Sequence, residues 1–102
     1  MIYLGYVACF FAGAIFSNAI PHFVYGVCGD RFPTPFAKPP GRGLSSATVN
    51  VVWALFNLIV AWVLLEAGRV STHDYVRLGV CFAGFAIMSI VSSKSFAKKL
   101  PQ

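Results

Sequence analysis

Three long apolar runs, separated by two shorter polar segments, dominate the hydropathy pattern of the chain. The runs cover about residues 2–27, 46–65 and 75–91. A helix needs roughly 20 apolar residues to cross a hydrocarbon core of about 30 Å, and each run is close to that length. The pattern therefore predicts an all-α integral membrane protein, with three transmembrane helices forming a single domain over residues 1–102.

The first run is longer than one membrane crossing requires, and it contains Pro21. A proline inside a helix cannot donate to the carbonyl four residues before it, here that of Ser17, and its ring clashes with the same carbonyl. We therefore expect a Pro-kinked first helix. The carbonyl would become a backbone acceptor, like those that line cavities in the broken helices of membrane transporters.

The segment between the first two runs, residues 28–45, is predicted to be an extended or turning loop because it is rich in proline. It holds four of the six prolines in the chain: Pro33, Pro35, Pro39 and Pro40. Either Ser45 or Ser46 is suited to cap the second helix. These features predict an ordered turn into that helix after an irregular connection.

A second capping signal precedes the third run. Ser71 and Asp74 have the spacing of a capping box, and Asp74 can pair with Arg77 one turn further on. We therefore expect the third helix to begin near residue 75.

The basic residues predict the orientation of the three helices. The loop before the second helix and the C-terminal tail share one side of the membrane and carry six basic residues: Arg31, Lys38, Arg42, Lys94, Lys98 and Lys99. The other side has only Arg69 and Arg77. The positive-inside rule then predicts an outer N-terminus, an inner C-terminus and an inner proline-rich loop. We expect the location to be a bacterial inner (plasma) membrane.

The composition agrees with a lipid-facing surface and argues against several functions. Hydrophobic residues make up 58% of the chain and charged residues 11%, less than half of the roughly 25% typical of soluble proteins. The net charge of +5 is spread over loops and ends, so it does not indicate nucleic-acid binding. The three cysteines have no CxxC spacing, which predicts buried thiols and no metal site or disulfide framework.

Small residues spaced four apart predict where the helices pack, because they let another helix approach closely. Such rows occur on the first and third helices: Gly5, Cys9, Gly13, Ser17, Gly79 and Ala83. A second row on the first helix contains Asn18 and His22. Since one helix then has two faces suited to protein contact, we expect a homo-oligomer or a place in a larger membrane-protein complex.

Polar residues at overlapping depths in the first two helices form a candidate ligand site: Asn18, His22, Asn50, Trp53 and Asn57. One interpretation is that they only hydrogen-bond the helices to each other. The other is a pocket, since polar groups within a membrane are often functional. Its ligand would be a polar-headed amphiphile such as a lipid or a quinone, and the sequence leaves both interpretations open.

The inner loop also contains a candidate site for an anionic lipid head group: Arg31, Lys38, Arg42, Ser45 and Ser46. The basic residues precede a helix N-terminus, whose N–H groups favour anions. The loop has no Walker-type spacing, which argues against a specific phosphorylated ligand.

Other membrane chemistries have less support. His22 is a suitable haem ligand, but the other histidine, His73, lies in the opposite loop, so one chain cannot supply two axial histidines. The three acids lie at the ends of the apolar runs, unlike the buried carboxylates of small multidrug transporters and rotary-ATPase ring subunits. A nucleophile, a histidine and an acid do not converge at one depth. We therefore predict no cofactor or metal, and catalysis is poorly supported.

These patterns favour a small multi-pass inner-membrane protein that acts as an assembling or accessory subunit and binds lipid head groups on its inner surface. The alternative is a ligand-handling protein, either a small transporter or channel protomer or a redox subunit associated with quinone or haem. The residues contain no motif specific enough to indicate a family.

Overall fold

The structure, a computed structural model, describes residues 2–101. It contains three α-helices, α1 (Ile2–Val27), α2 (Ala47–Ala67) and α3 (Tyr75–Ser95), and a 3₁₀ turn at Phe96–Lys98. Over these residues there is no strand, and all three helices are long and apolar enough to cross a membrane. The prediction of an all-α chain with three such helices is confirmed. Residues 1 and 102, the ends of the predicted domain, lie outside the described part.

α2 and α3 begin at capping residues. The Ser46 hydroxyl accepts the N–H of Val49 at 3.1 Å and so caps α2. Asp74 caps α3 by accepting the N–H of Arg77 at 3.1 Å, and its second oxygen pairs with that guanidinium at 3.0 Å. The predicted capping box starting at Ser71 is wrong, because that hydroxyl accepts a backbone N–H inside the preceding turn. α2 and α3 continue to 67 and 95, beyond their predicted ends.

α1 lies between the other two helices and contacts both of them. Among residues 2–101, no Cα atom of α2 comes within 8 Å of one in α3. The buried apolar side chains of the helices are small: Cys9, Ala12, Ala14, Ala19, Ala54 and Ala61. Large apolar side chains lie outside, such as Phe82 and Trp62 with 70% and 64% of their surface exposed. Small residues inside and large ones outside are typical of helices that pack within lipid.

α1 and α3 meet through a reciprocal pair of glycines. A side chain at Gly13 would collide with the carbonyl of Cys81, and one at Gly84 would collide with the carbonyl of Phe10. Each helix thus places a glycine against the backbone of the other. Close approach of this kind gains van der Waals contact that bulkier residues would prevent.

The contact face of α3 differs from the predicted one. Gly79 has nothing within 4 Å of the position of an added Cβ, and Ala83 is exposed. The actual face contains Gly84 and Ser89, and the Ser89 hydroxyl lies 2.8 Å from that of Ser17. At about 100° per residue, Gly79 lies roughly 140° round the helix from Gly84, so the row that it starts turns away from α1.

The two rows predicted on α1 each find partners within the chain. In the first row, Gly13 and Ser17 face α3, while the Cys9 thiol donates to the carbonyl of Gly68 at the end of α2, 3.2 Å away. The second row faces α2, where a Cβ on Gly26 would lie 2.9 Å from the carbonyl oxygen of Ala47. Both faces that favoured protein contact are therefore covered by helices of the same chain.

The loop between α1 and α2 is closed at its neck. Phe32 and Ser45 exchange two backbone hydrogen bonds of 3.3 and 3.0 Å. The buried amide of Asn50 donates to the carbonyls of Phe32, Ser45 and Ser46 at 2.9, 3.2 and 3.0 Å. A side chain of α2 thus fixes both ends of the proline-rich loop.

The C-terminal tail returns to this loop. The N–H of Leu100 donates to the carbonyl of Arg42 at 2.8 Å, and Nε of Arg42 donates to the carbonyl of Lys98 at 3.2 Å. The two segments that carry most of the basic residues are therefore joined at one end of the molecule, which we call the loop end.

Candidate functional site

A cavity of about 340 Å³ lies at the loop end, beneath the proline-rich loop. Asn18 and His22 of α1 and Trp53 of α2 line it, and the loop and the tail provide the remaining wall. Three of the five residues predicted for a ligand pocket therefore meet at one cavity. The other two, Asn50 and Asn57, lie behind them and hold His22 and Asn18 in place.

The His22 imidazole is fixed by Asn50. Its Nδ1 lies 2.8 Å from Asn50 Oδ1, and the two residues are 2% and 0% exposed. The Asn50 amide nitrogen faces three carbonyls, which only accept, so the amide oxygen must be the atom that faces His22. Nδ1 is therefore the donor, and in a neutral imidazole Nε2 then carries the acceptor lone pair.

A second hydrogen-bond chain fixes Asn18. Asn57 Nδ2 donates to the carbonyl of Trp53 at 2.8 Å, so Asn57 Oδ1 faces Asn18 and accepts from its Nδ2 at 3.2 Å. The remaining polar atom of the Asn18 side chain, Oδ1, is an acceptor. Each of these two hydrogen-bond networks therefore runs from a backbone carbonyl to an acceptor atom on α1, which is Nε2 of His22 or Oδ1 of Asn18.

Trp53 Nε1 is the buried side-chain polar atom, among the residues described, that has no hydrogen-bond partner. The indole packs edge-on against Phe36, with ring centroids 5.1 Å apart, and stacks on Phe56 at 5.7 Å. An indole N–H can only donate, and leaving such a donor buried and unpaired costs about 1–3 kcal/mol. This donor belongs to a residue that lines the cavity, and no described protein group supplies its acceptor.

Aromatic rings surround His22 on the side of the tail. Its ring packs edge-on against Phe32 and Phe96, with centroids 5.3 and 5.9 Å apart, and those two rings are 4.6 Å from each other. Sequence reasoning missed Phe96 because it lies beyond the predicted end of the third helix. The available signal was a large apolar residue standing alone in the basic segment KSFAKK.

A basic cleft of about 450 Å³ lies between the loop and the end of α3. Arg42, Lys94 and Lys98 line it, and no acidic side chain belongs to its described lining. The two lysines are four residues apart near the end of α3, and Arg42 reaches them from the loop. The cleft thus gathers three cationic side chains from two chain segments.

The other residues predicted for the anion site are placed differently. The Ser45 hydroxyl lies 2.6 Å from that of Thr34, and Ser46 caps α2. Arg31 and Lys38 are exposed and do not line the basic cleft. Of the five predicted residues, Arg42 is therefore the one that the structure brings to the cleft.

A larger groove, of about 540 Å³, runs between α1 and α3. Most of its lining is apolar, and its polar groups include Tyr25, Lys99 and the bonded hydroxyls of Ser17 and Ser89. The groove therefore combines largely apolar walls with one cation, Lys99.

The paired ligands that a metal ion or a haem would need are not brought together in the described residues. Residues 2–101 contain no group of three histidine, cysteine, aspartate or glutamate side chains that could hold a metal ion. His22 lies at the loop end, whereas His73 lies in the turn between α2 and α3 at the opposite end. Comparisons of the chain with protein-family models, with curated proteins and with solved structures find no match.

Proposed function

We propose that the protein is a small inner-membrane protein that binds anionic lipid head groups on its inner surface and acts as an assembling or accessory subunit of a membrane complex. The observation that supports lipid binding most directly is the basic cleft, which is lined by Arg42 of the loop and by Lys94 and Lys98 near the C-terminus. Two hydrogen bonds between Arg42 and the tail keep these segments together.

The charge of the loop end suits a phosphate group. The loop and the tail carry six basic residues against one acid, Asp30. Each Lys or Arg near the surface of an anionic leaflet contributes about 1 kcal/mol of attraction. Arginine can bind two phosphate oxygens through its planar guanidinium, while lysine acts as a point charge. A cleft with both residue types thus favours a head group that carries a phosphate.

The test of lipid binding is the double variant Lys94→Gln/Lys98→Gln, which leaves the hydrogen bonds of Arg42 in place. Native mass spectrometry in a mild detergent would compare retention of phosphatidylglycerol with that of phosphatidylcholine. We expect roughly thirtyfold weaker retention of the anionic lipid alone, from about 2 kcal/mol for two lost cations. The control variant Lys38→Gln/Arg69→Gln removes the same charge outside the cleft but takes only Lys38 from the loop end, so it should weaken retention clearly less. Equal retention by both variants would contradict the cleft as the binding site.

The orientation proposed is an outer N-terminus and an inner C-terminus, because the basic loop end favours the inner side. We also propose that α1 bends at Pro21, which has no N–H for the Ser17 carbonyl. Cysteines introduced by Tyr3→Cys or Lys98→Cys, in a Cys28→Ser/Cys81→Ser background that keeps only the buried Cys9, would report orientation by reaction with an impermeant maleimide on intact cells. Labelling at residue 98 but not at residue 3 would reverse the orientation.

The subunit role rests on the outer surface of α3. Gly84 is the residue of α3 that is buried within the chain, while Phe82, Ile87 and Ile90 are exposed. A helix that uses one narrow face leaves the rest for lipid or for a helix of another chain. We expect light scattering in mild detergent to give a particle larger than a monomer. A strict monomer would rule out self-assembly and leave a different partner, sought by cross-linking in native membranes.

A second candidate function is the handling of a small amphiphilic ligand in the cavity beneath the loop. The observation that favours it is the unpaired Nε1 of Trp53 in a wall shared with His22 and Asn18. Mass spectrometry of co-purified lipids and quinones would compare the native protein with His22→Ala and Asn50→Ala. If both variants retain the same molecules in the same amounts, the polar residues serve only to join the helices.

A further inference from the structure

The hydrogen-bond directions around the cavity specify what a bound molecule must offer. The amide of Asn50 and the amide of Asn57 are both oriented by backbone carbonyls, so each presents its oxygen to α1. His22 donates through Nδ1 and Asn18 donates through Nδ2 to these two oxygens. Nε2 of His22 and Oδ1 of Asn18 then remain as acceptors. Nε1 of Trp53 is a donor without a partner. The residues that line the cavity thus supply one unused donor and two acceptors.

The charge of the cavity wall restricts the ligand further. The cavity is lined by Asn, His, Thr, Ser, Trp, Phe, Pro and Gly side chains, and none of its described lining residues is Lys, Arg, Asp or Glu. An ionised phosphate or carboxylate would find no counter-charge among these lining residues, whereas Arg42, Lys94 and Lys98 of the basic cleft supply one. A neutral head group is therefore favoured, in contrast to the basic cleft next to it.

The size of the cavity suits a head group rather than a whole lipid. Its volume of about 340 Å³ is near the lower limit of the roughly 300–1,000 Å³ of small-molecule sites. Phe96 and Phe32 pack round His22, so flat apolar surfaces adjoin the polar atoms. A ring or a glycerol unit that carries hydroxyl groups would meet both kinds of surface.

We propose that this cavity binds the neutral, hydroxyl-bearing head group of an amphiphile. A ligand hydroxyl donates to Nε2 of His22 or Oδ1 of Asn18, and a ligand oxygen accepts the N–H of Trp53. Two membrane sources have this chemistry, the head of a quinol and the glycerol hydroxyl of a diacylglycerol. This inference rests on the second candidate function above, ligand handling, and adds the chemical class of the ligand.

The two tryptophans of the chain allow a direct test in the intact protein. Trp53 lines the cavity, whereas Trp62 is 64% exposed on the outer surface. Protein labelled with ¹⁵N in its indoles gives one N–H signal for each, assigned with Trp62→Phe. The probes are a short-chain benzoquinol kept reduced, dioctanoylglycerol, and the dimethyl ether of the same quinol as a matched compound without hydroxyl donors.

We expect one of the two hydroxyl probes to move the Trp53 signal downfield in a saturable way, with the Trp62 signal unchanged. The probe that shifts the Trp53 signal shows whether the ligand is a quinol or a diacylglycerol. The dimethyl ether should bind roughly 3- to 10-fold more weakly, the range for one lost hydrogen bond. Trp53→Phe keeps an aromatic ring but removes the donor, and should weaken binding by a similar factor, while Trp62→Phe should not.

Three results would overturn the proposal. The first is no response of Trp53 to either hydroxyl probe, with its N–H exchanging with water, which would mean that the cavity holds water only. The second is equal binding of the quinol and its dimethyl ether. The third is a co-purified amphiphile without hydroxyl groups that is lost in His22→Ala. That last result would refute the hydroxyl class but support ligand handling, so the two failures are distinguishable.

Discussion

The two sides of α1 differ in their main contacts. Towards α2, buried side chains form directional hydrogen bonds, His22 with Asn50 and Asn18 with Asn57. Towards α3, the main feature is the close approach of two backbones at Gly13 and Gly84. Hydrogen bonds between membrane helices average about 0.6 kcal/mol in measured cases. A side chain placed against the backbone of another helix costs more, because the backbone cannot move aside without separating the helices. The polar side should set orientation, and the glycine side should set distance.

The largest effect is expected from filling the glycine contact. Gly84→Leu or Gly13→Leu places a side chain against the carbonyl of Phe10 or Cys81, so α1 and α3 must separate. We expect a loss of about 3 kcal/mol or more in the free energy of unfolding in detergent. The matched control is Gly79→Leu, where an added Cβ has nothing within 4 Å. If Gly79→Leu and Gly84→Leu were equally damaging, steric contact would not be the reason.

The next largest loss of stability is expected at Asn50. It tests whether the hydrogen bonds between α1 and α2 also stabilise the fold, beyond setting the orientation of the helices. Asn50→Leu removes the donor to three loop carbonyls and the partner of His22. Since buried groups left unpaired cost about 1–3 kcal/mol, we expect a loss of about 2 kcal/mol. Hydrogen exchange at the amides of Phe32 and Ser45 should accelerate as the loop neck opens. Thr48→Ala, at an exposed position of α2, is the control and should leave both measurements unchanged.

A smaller effect is expected at Arg77, a polar contact of α3 at the end opposite the loop. Its guanidinium donates to the carbonyl of Gly68 at 2.7 Å, pairs with Asp74 and lies 5.1 Å from the ring of Tyr6. The side chain is 19% exposed, so solvent weakens the ion pair. We expect Arg77→Met to cost about 1 kcal/mol in thermal or denaturant unfolding. A loss as large as that of Gly84→Leu would show that polar contacts also dominate the α3 side.

The smallest effect is expected for the hydrogen bond between the side chains of Ser17 on α1 and Ser89 on α3. A double-mutant cycle with Ser17→Ala and Ser89→Ala should give a coupling energy of about 0.6 kcal/mol or less. The Ser89 hydroxyl also lies 2.7 Å from the carbonyl of Phe85, so it keeps an acceptor when Ser17 is changed. A coupling above about 1.5 kcal/mol would contradict the assignment of close backbone contact as the main interaction on this side.

The sequence predicted the helices and the polar meeting of α1 with α2, but not the face of α3. Apolar runs of sufficient length identify spans because lipid requires them. Asn18 and His22 stood out because polar groups are rare among such residues. Gly79, Ala83 and Gly84 are all small, however, so spacing alone did not show which of them faces α1.

Two further features depend on contacts that no local pattern encodes. The return of the tail to Arg42 joins residues more than fifty positions apart, and it brings Lys94 and Lys98 to the loop. The unpaired N–H of Trp53 is visible only once all neighbours of the indole are placed. A charge count predicted a basic end, but the composition of the cleft required the three-dimensional fold.

The central position of α1 has a consequence for how the chain is assembled during synthesis. α1 is translated before α2 and α3, and both later helices pack against it and not against each other. Each new helix therefore meets a partner that is already in place, and neither interface has to wait for a segment still inside the ribosome. The hydrogen bonds of Arg42 with Lys98 and Leu100 join residues on either side of α2 and α3, so they can form only after α3 has been translated.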